Sequence, residues 1–302
     1  MGAALVGVLT ALALASTPGA PLRVVVVLAD DAPSFQLARD AFIRTLGTES
    51  GRPIEAVDRR VGTLSDGTID ADVIFALGTT AARRVAAADL GATRVFAVVG
   101  DPLGAGLIDA DDKPRADISG VSGMIPFAEQ LALMRVIAPE VRRVGVVVNA
   151  LRPGPLFEQL QGAGLRAGMT IVALRAAKPE DVGATLRQER ESFDAILALP
   201  DPSVWSGVSL KAAVIFALSE RRPLFGFSRA FTRAGAIASI SAERYEEMGQ
   251  QAAVLALRRM AGSPARVEPS ASRSLSVNIV VAQRLGLTLS RELVDRAEDV
   301  YR

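Results

Sequence analysis

One alternation constrains this chain more than anything else in it. Short runs dense in Val, Ile and Leu are each followed by an amphipathic stretch of helical length. In the first half the runs are RVVVVLA (23–29), DVIFAL (72–77) and RVFAVV (94–99). In the second they are RRVGVVV (142–148), MTIVAL (169–174), DAILAL (194–199), RPLFGFS (222–228) and AIASIS (236–241). A strand that is apolar along its whole length has no face to show to water. It must be covered on both sides, which is the situation of a parallel sheet flanked by helices. The stretches between read as those helices: 32–47 with Ser34 as cap and Gly47 as stop, 79–91, a segment from Pro155, 179–192, 206–221, and 242–262 ending at Gly262. The pattern predicts an α/β chain of two doubly wound parallel-sheet lobes joined by a hinge near residues 118–125. The expected lobes are 22–122 plus 235–265, and 123–234 plus 266–302.

Composition removes several chemistries. The chain has 302 residues, half of them hydrophobic, with no cysteine and no histidine. That excludes thiolate nucleophiles, disulfides, imidazole-based triads and most zinc sites. Net charge is +1, there is no basic block, and aromatics make up 5%, so a nucleic-acid partner is not expected. The lysines, Lys113, Lys178 and Lys211, all lie outside apolar runs that would depress their pKa. DADDK (109–113) fails the calcium-loop spacing and reads as a solvated loop. RRVAAAD and ERYEE read as exposed helix faces. Neither a metal nor a cofactor is expected.

The segment GAALVGVLTALALASTPGAP (2–21) has the apolar length of a signal peptide, with Ala13-Leu14-Ala15 fitting the small-x-small cleavage rule. Residues 1–21 are therefore expected to be a signal peptide and short linker, and the protein periplasmic. The first basic residue is Arg23, so the positive n-region is missing.

In open parallel sheets, ligands sit outside the carboxyl ends of the strands. Candidate site residues are accordingly those at strand ends. Gly78, Thr79 and Thr80 stand where a strand meets a helix, serving either as a plain cap or as an anion site. Asp101, in VFAVVGDPLGAGLI (95–108), is either an Asx turn with Pro102 or a ligand acceptor. The G-x-G there lacks the third glycine of a dinucleotide fingerprint, Asp109 standing in its place. Asp201 and Ser203 in PDPSVW occupy the matching turn of the second half, and Trp205 either stacks on a ligand or fills the core. Phe225, Phe227 and Ser228 close another strand end. The two phenylalanines, two residues apart, are expected on one side of the strand, lining a pocket or the core.

Several stretches together resemble the type I periplasmic solute-binding proteins of ABC transporters, in particular the substrate-binding family that includes tryptophan and tyrosine binders. They are FALGTTAA, VVGDPLGAGLI, ISGVSG, RVGVVVN, RAGAIASISAERYEEMGQQAA and VNIVVAQRLGLTLSRELVDRA, in order along nearly the whole mature chain. The resemblance implies a ligand cleft between two lobes, hinge closure on binding, and delivery to an ABC permease in the inner membrane. It implies ligand contacts near Thr79–Thr80, Asp101, Ser122, Asn149, Asp201 and Phe225–Ser228, and Ser34 is a further candidate ligand residue. The family pattern often has Gly-Thr-Pro where this chain has Gly78-Thr79-Thr80. The expected ligand is a small molecule, amino acid-like or lipophilic, bound by a monomer without catalysis. Two alternatives stay open: a sensor for a receptor on the same fold, and an enzyme using Asp101 or Asp201.

Overall fold

The computed structural model describes residues 19–64, 69–88, 90–109, 111–151 and 154–302. The expected signal peptide and its cleavage site lie outside the described residues, apart from residues 19–21 of its linker.

The chain opens with β1 (Leu22–Leu28), α1 (Pro33–Ser50), β2 (Ile54–Arg60), β3 (Val73–Leu77), α2 (Thr79–Ala86), β4 (Thr93–Val99) and β5 (Ser119–Ser122). It then builds α3 (Phe127–Ile137), β6 (Arg143–Asn149), α4 (Pro155–Ala167), β7 (Thr170–Ala176), α5 (Val182–Gln188), β8 (Ala195–Leu197), α6 (Gly207–Ser219), β9 (Leu224–Gly226), α7 (Arg229–Ala234) and β10 (Ala238–Ser241). α8 (Tyr245–Met260) and β11 (Val267–Pro269) follow, then β12 (Ser274–Asn278), α9 (Ile279–Arg284), α10 (Arg291–Arg296) and β13 (Asp299–Tyr301). Two sheets result. The first has the order β11-β5-β4-β3-β1-β2 and the second β13-β12-β10-β9-β8-β6-β7. All pairings are parallel except β10 with β12.

Burial follows the apolar runs. In β1, Val24, Val26 and Leu28 pack with Phe42, Met248 and Ala252 on one face. Val25 and Val27 pack with Ala81, Ala82 and Val85 on the other. Each such buried Val contributes about 1.5–3 kcal/mol, which is why these runs tolerate no polar residue. β2 was not foreseen. IEAVDRR is an edge strand, half-exposed, and its charges hide the pattern.

Three boundaries differ from expectation. α1 is capped at Ala32 without a side-chain hydrogen bond and ends at Gly51 in the left-handed region, φ 66°. Ser34 is therefore inside the first turn, and Gly47 lies within the helix. α2 ends at Ala86 and α5 spans only 182–188. The third difference is where the chain recrosses. β10 pairs with β9 and β12, so it belongs to the second sheet. α8 packs on α1, and β11 pairs with β5, so both belong to the first lobe. The crossings thus fall at 123–126, 242–244 and 270–273, rather than at 235 and 266.

Candidate functional site

Most of the predicted residues stand at or just after the carboxyl ends of parallel strands, and of them Phe227 and Ser228 line a cavity between the lobes. Gly78 follows β3 with φ 88°, and a Cβ on it would stand 2.6 Å from the Phe35 ring. Only glycine serves at this corner. It caps α2 with no side-chain hydrogen bond, and Thr79 and Thr80 beyond it are exposed. The first-turn N–H groups of α2 are therefore left without a side-chain cap. Ser34 sits on the neighbouring corner, half-buried, next to Phe35.

Asp101 follows β4. Its Oδ1 accepts a hydrogen bond from the Gly104 N–H at 2.7 Å. The carboxylate lies over the Gly104 Cα, where any side chain would collide with it. The carboxylate thus closes the turn that follows β4, the turn reading of this residue. Across the cleft, Asp201 follows β8 and repeats the device, with Oδ1 accepting from Ser203 N–H at 2.9 Å. Asn149, at the end of β6, donates from Nδ2 to Ser203 Oγ at 3.2 Å and accepts from Leu151 N–H at 2.9 Å. Burial pushes the Asp101 carboxyl above its ordinary value, against two backbone N–H groups that pull it down, and the negative charge of Asp201 adds to the rise.

Behind them, on the hinge side, lies a cavity of about 240 Å³. Its walls are mostly apolar: Val98, Met124, Ile125, Phe127, Phe227 and Met248, drawn from both lobes and two crossings. Its polar groups are largely engaged. Glu243 Oε2 accepts from Ser241 Oγ at 2.8 Å and from Arg229 N–H at 3.0 Å, and Gln130 Nε2 donates to Ile125 O at 2.8 Å. Burial, and then the charge of Glu243, raise the Tyr245 phenol. Val98 adopts φ 58° where the pairing of β4 with β5 shifts register. A β-branched residue there is strained, and the strain sits in the cavity wall.

Phe227 and Ser228 line this cavity, whereas Phe225 does not. Phe225 is 2% exposed and belongs to the core on one face of the second sheet. β9 ends at Gly226, so the strand alternation stops before Phe227, which turns to the opposite core and stacks near Phe231 at 4.4 Å. The expectation that the two rings share a side is corrected accordingly. Ser122 is buried, with Oγ accepting from Met124 N–H at 3.1 Å, a structural contact at the first crossing. Trp205 is buried against Phe231, its core reading. ERYEE is not simply an exposed face, since Glu243 and Tyr245 line the cavity. Sequence reading missed Val98, Met124, Tyr245 and Met248. The crossings carry no motif, and only the topology brings them together. Among the described residues no group of His, Cys, Asp or Glu is arranged to hold a metal ion.

A two-lobed α/β frame with a cleft at its strand ends is shared by many proteins, and the family is decided by sequence. The family model for ABC transporter substrate binding proteins matches residues 66–301. The chain belongs to that family. It is a class of binding proteins, normally extracellular or periplasmic, rather than a class of enzymes. Among relatives, a tyrosine-binding protein of Clostridioides difficile (strain R20291) is 22% identical over 193 residues, 63% of this chain and 55% of the relative. The chain therefore spans about half the length of that curated relative. Among solved structures, a Streptococcus pneumonia ABC domain in complex with L-Trp superposes with a TM-score of 0.63 at 20% identity, over 92% of this chain and 99% of that one. The ligand-free, open structure of a substrate binding protein with adhesive properties from Clostridium difficile gives 0.73 at 18% identity, over 93% and 99%. These likenesses establish the fold. Among the described residues, no helix is long and apolar enough to cross a membrane.

Proposed function

We propose that this chain is the solute-capturing component of an ABC-type uptake system. Its ligand is a small molecule with an ammonium group and an apolar body, such as an amino acid with an apolar or aromatic side chain. The observation that carries this reading is the mostly apolar cavity of about 240 Å³ lined from both lobes, with the Asp101 and Asp201 turns directly following its lining residues Gly100 and Pro200. A cation that reaches both carboxylates gains charge-assisted hydrogen bonds, which are stronger than neutral ones. Closure is then driven by the ligand's preference for the closed state. The uncapped start of α2 at Thr79–Thr80 is suited to the ligand's carboxylate, and Phe227 and Met248 to its body.

Ser34, Gly78, Asn149, Ser203 and Ser228 complete the rim and hold these groups in place. The protein acts by binding alone, as a monomer outside the inner membrane, and hands its ligand to a permease there. The tyrosine-binding relative and the Trp-bound structure support an aromatic amino acid as the first ligand to try. Small-angle scattering with L-tyrosine and L-tryptophan tests the reading. Compaction on addition of either is expected, and unchanged dimensions at saturating ligand would count against hinge closure.

A further inference from the structure

The geometry points to a second ligand site, on the flank of the lobe interface, for a small apolar zwitterion whose ammonium and carboxylate are set apart. A hydrophobic dipeptide is the simplest molecule of that class. A cavity of about 500 Å³ opens there, larger than the 240 Å³ cavity of the cleft and within the range of small-molecule pockets. Its walls come from both lobes. Leu103 and Ile108 come from the connection between β4 and β5, and Phe127 from the start of α3. The far wall is the face of α4 that carries Gly162 and Arg166.

Two exposed charged side chains line this space beside apolar residues and the polar Ser122 and Gln159, Asp112 from the first lobe and Arg166 from the second. Neither forms an ion pair with the other or with any other side chain among the described residues. Gly162 lines the same space one turn before Arg166. A Cβ there would meet only Arg166 Nη1, at 3.6 Å. The guanidinium therefore folds back over the glycine toward the cavity. A ligand with a carboxylate for Arg166, an ammonium for Asp112 and apolar groups against Leu103, Ile108 and Phe127 matches the charged and apolar parts of the lining. Arg166, Asp112 and Gly162 line the flank and not the cleft, so this site does not depend on the reading of the cleft.

The test is calorimetry of the full chain with L-leucyl-L-leucine, its N-acetyl form and its C-terminal amide. Arg166→Gln and Asp112→Asn should each weaken the dipeptide by about fivefold, the scale of a partly exposed charge pair. Amidation should make Arg166→Gln silent, and acetylation should make Asp112→Asn silent. Gly162→Leu should abolish binding by filling the space, with thermal denaturation reporting whether that variant folds. Should it not fold, the crossed charge variants and blocked peptides still decide. Asp201→Asn, in the cleft, should leave dipeptide binding unchanged. The proposal is overturned if the dipeptide does not bind in the millimolar range, or if the flank charge variants bind it as the parent does. It is equally overturned if binding follows Asp201→Asn instead, a result that would leave the cleft reading standing.

Discussion

At corresponding places the two lobes build the same corner and finish it differently. In the first lobe β3 runs directly into α2, and in the second β8 is followed by the Asp201 turn and then α6. In the second lobe the helix start is closed. Ser206 caps α6 by accepting from the Ser209 N–H at 3.4 Å, while Ser206 N–H donates to Ser209 Oγ at 2.7 Å. In the first lobe, α2 starts at Gly78, at φ 88°, with no side-chain cap. A closed corner has spent its donors on itself. An open one keeps them for something that arrives later. Under the proposed function, the open corner takes the ligand's anionic end and Asp101 and Asp201 its cationic end.

The largest effect should come from the glycines of the two corners. Gly78→Ala places a methyl against Phe35 on a left-handed backbone and should cost about 2–4 kcal/mol in chemical denaturation. Gly207→Ala, at the start of α6, meets nothing within 4 Å and should be near neutral. Equal costs would erase the distinction between the corners.

Next come the carboxylates. Asp101→Asn and Asp201→Asn keep the turn's acceptor oxygen but remove the charge. Each should weaken an ammonium ligand by about tenfold or more, the worth of a charge-assisted hydrogen bond, while the melting temperature stays close to that of the parent. Affinity that survives both changes would remove the cation from the account.

The caps follow. Ser206→Ala should cost about 1 kcal/mol of stability and leave ligand affinity alone. Thr79→Ala and Thr80→Ala should do the reverse, weakening ligand and sparing stability. A loss of stability at Thr79 or Thr80 would mean that the first corner is capped after all.

The smallest effect is on pH dependence. Burial raises the Asp101 carboxyl above the ordinary carboxylate value. The folded state therefore binds more protons than the unfolded chain between the two values, so this group's contribution to stability falls as pH rises through that window. Ligand affinity moves the other way, since a cation prefers the ionised carboxylate. It should strengthen over the same mildly acidic range, and Asp101→Asn should flatten the trend. The hinge side gives the opposite sign. Ser272 and then Arg244 hold Glu247 below its ordinary value, so its contribution is lost as pH falls.

Much of this frame was legible in the sequence because burial on both faces leaves a plain mark. RVVVVLA and RVGVVVN admit little but a central parallel strand. The strand-end turns at Thr79, Asp101 and Asp201 followed from the same reading, since strand ends are where such sheets meet their ligands. β2 was not legible, because an edge strand with a wet face keeps its charges. The cavity behind the carboxylates was not legible either. Val98, Met124 and the α8 pair Tyr245 and Met248 come from three separate segments, and only the way the chain recrosses between the lobes sets them side by side. Phe225 shows the limit of alternation as a guide. β9 is three residues long, so its neighbour two places on had already left the strand.

The most direct test of the central claim is calorimetric titration of L-tyrosine and L-tryptophan into the parent chain, Asp201→Asn and Ser206→Ala. The account predicts saturable binding of at least one of them to the parent, unchanged in Ser206→Ala and weakened by about tenfold or more in Asp201→Asn. Binding of equal strength in all three proteins would contradict it, as would no binding of any ammonium-bearing ligand.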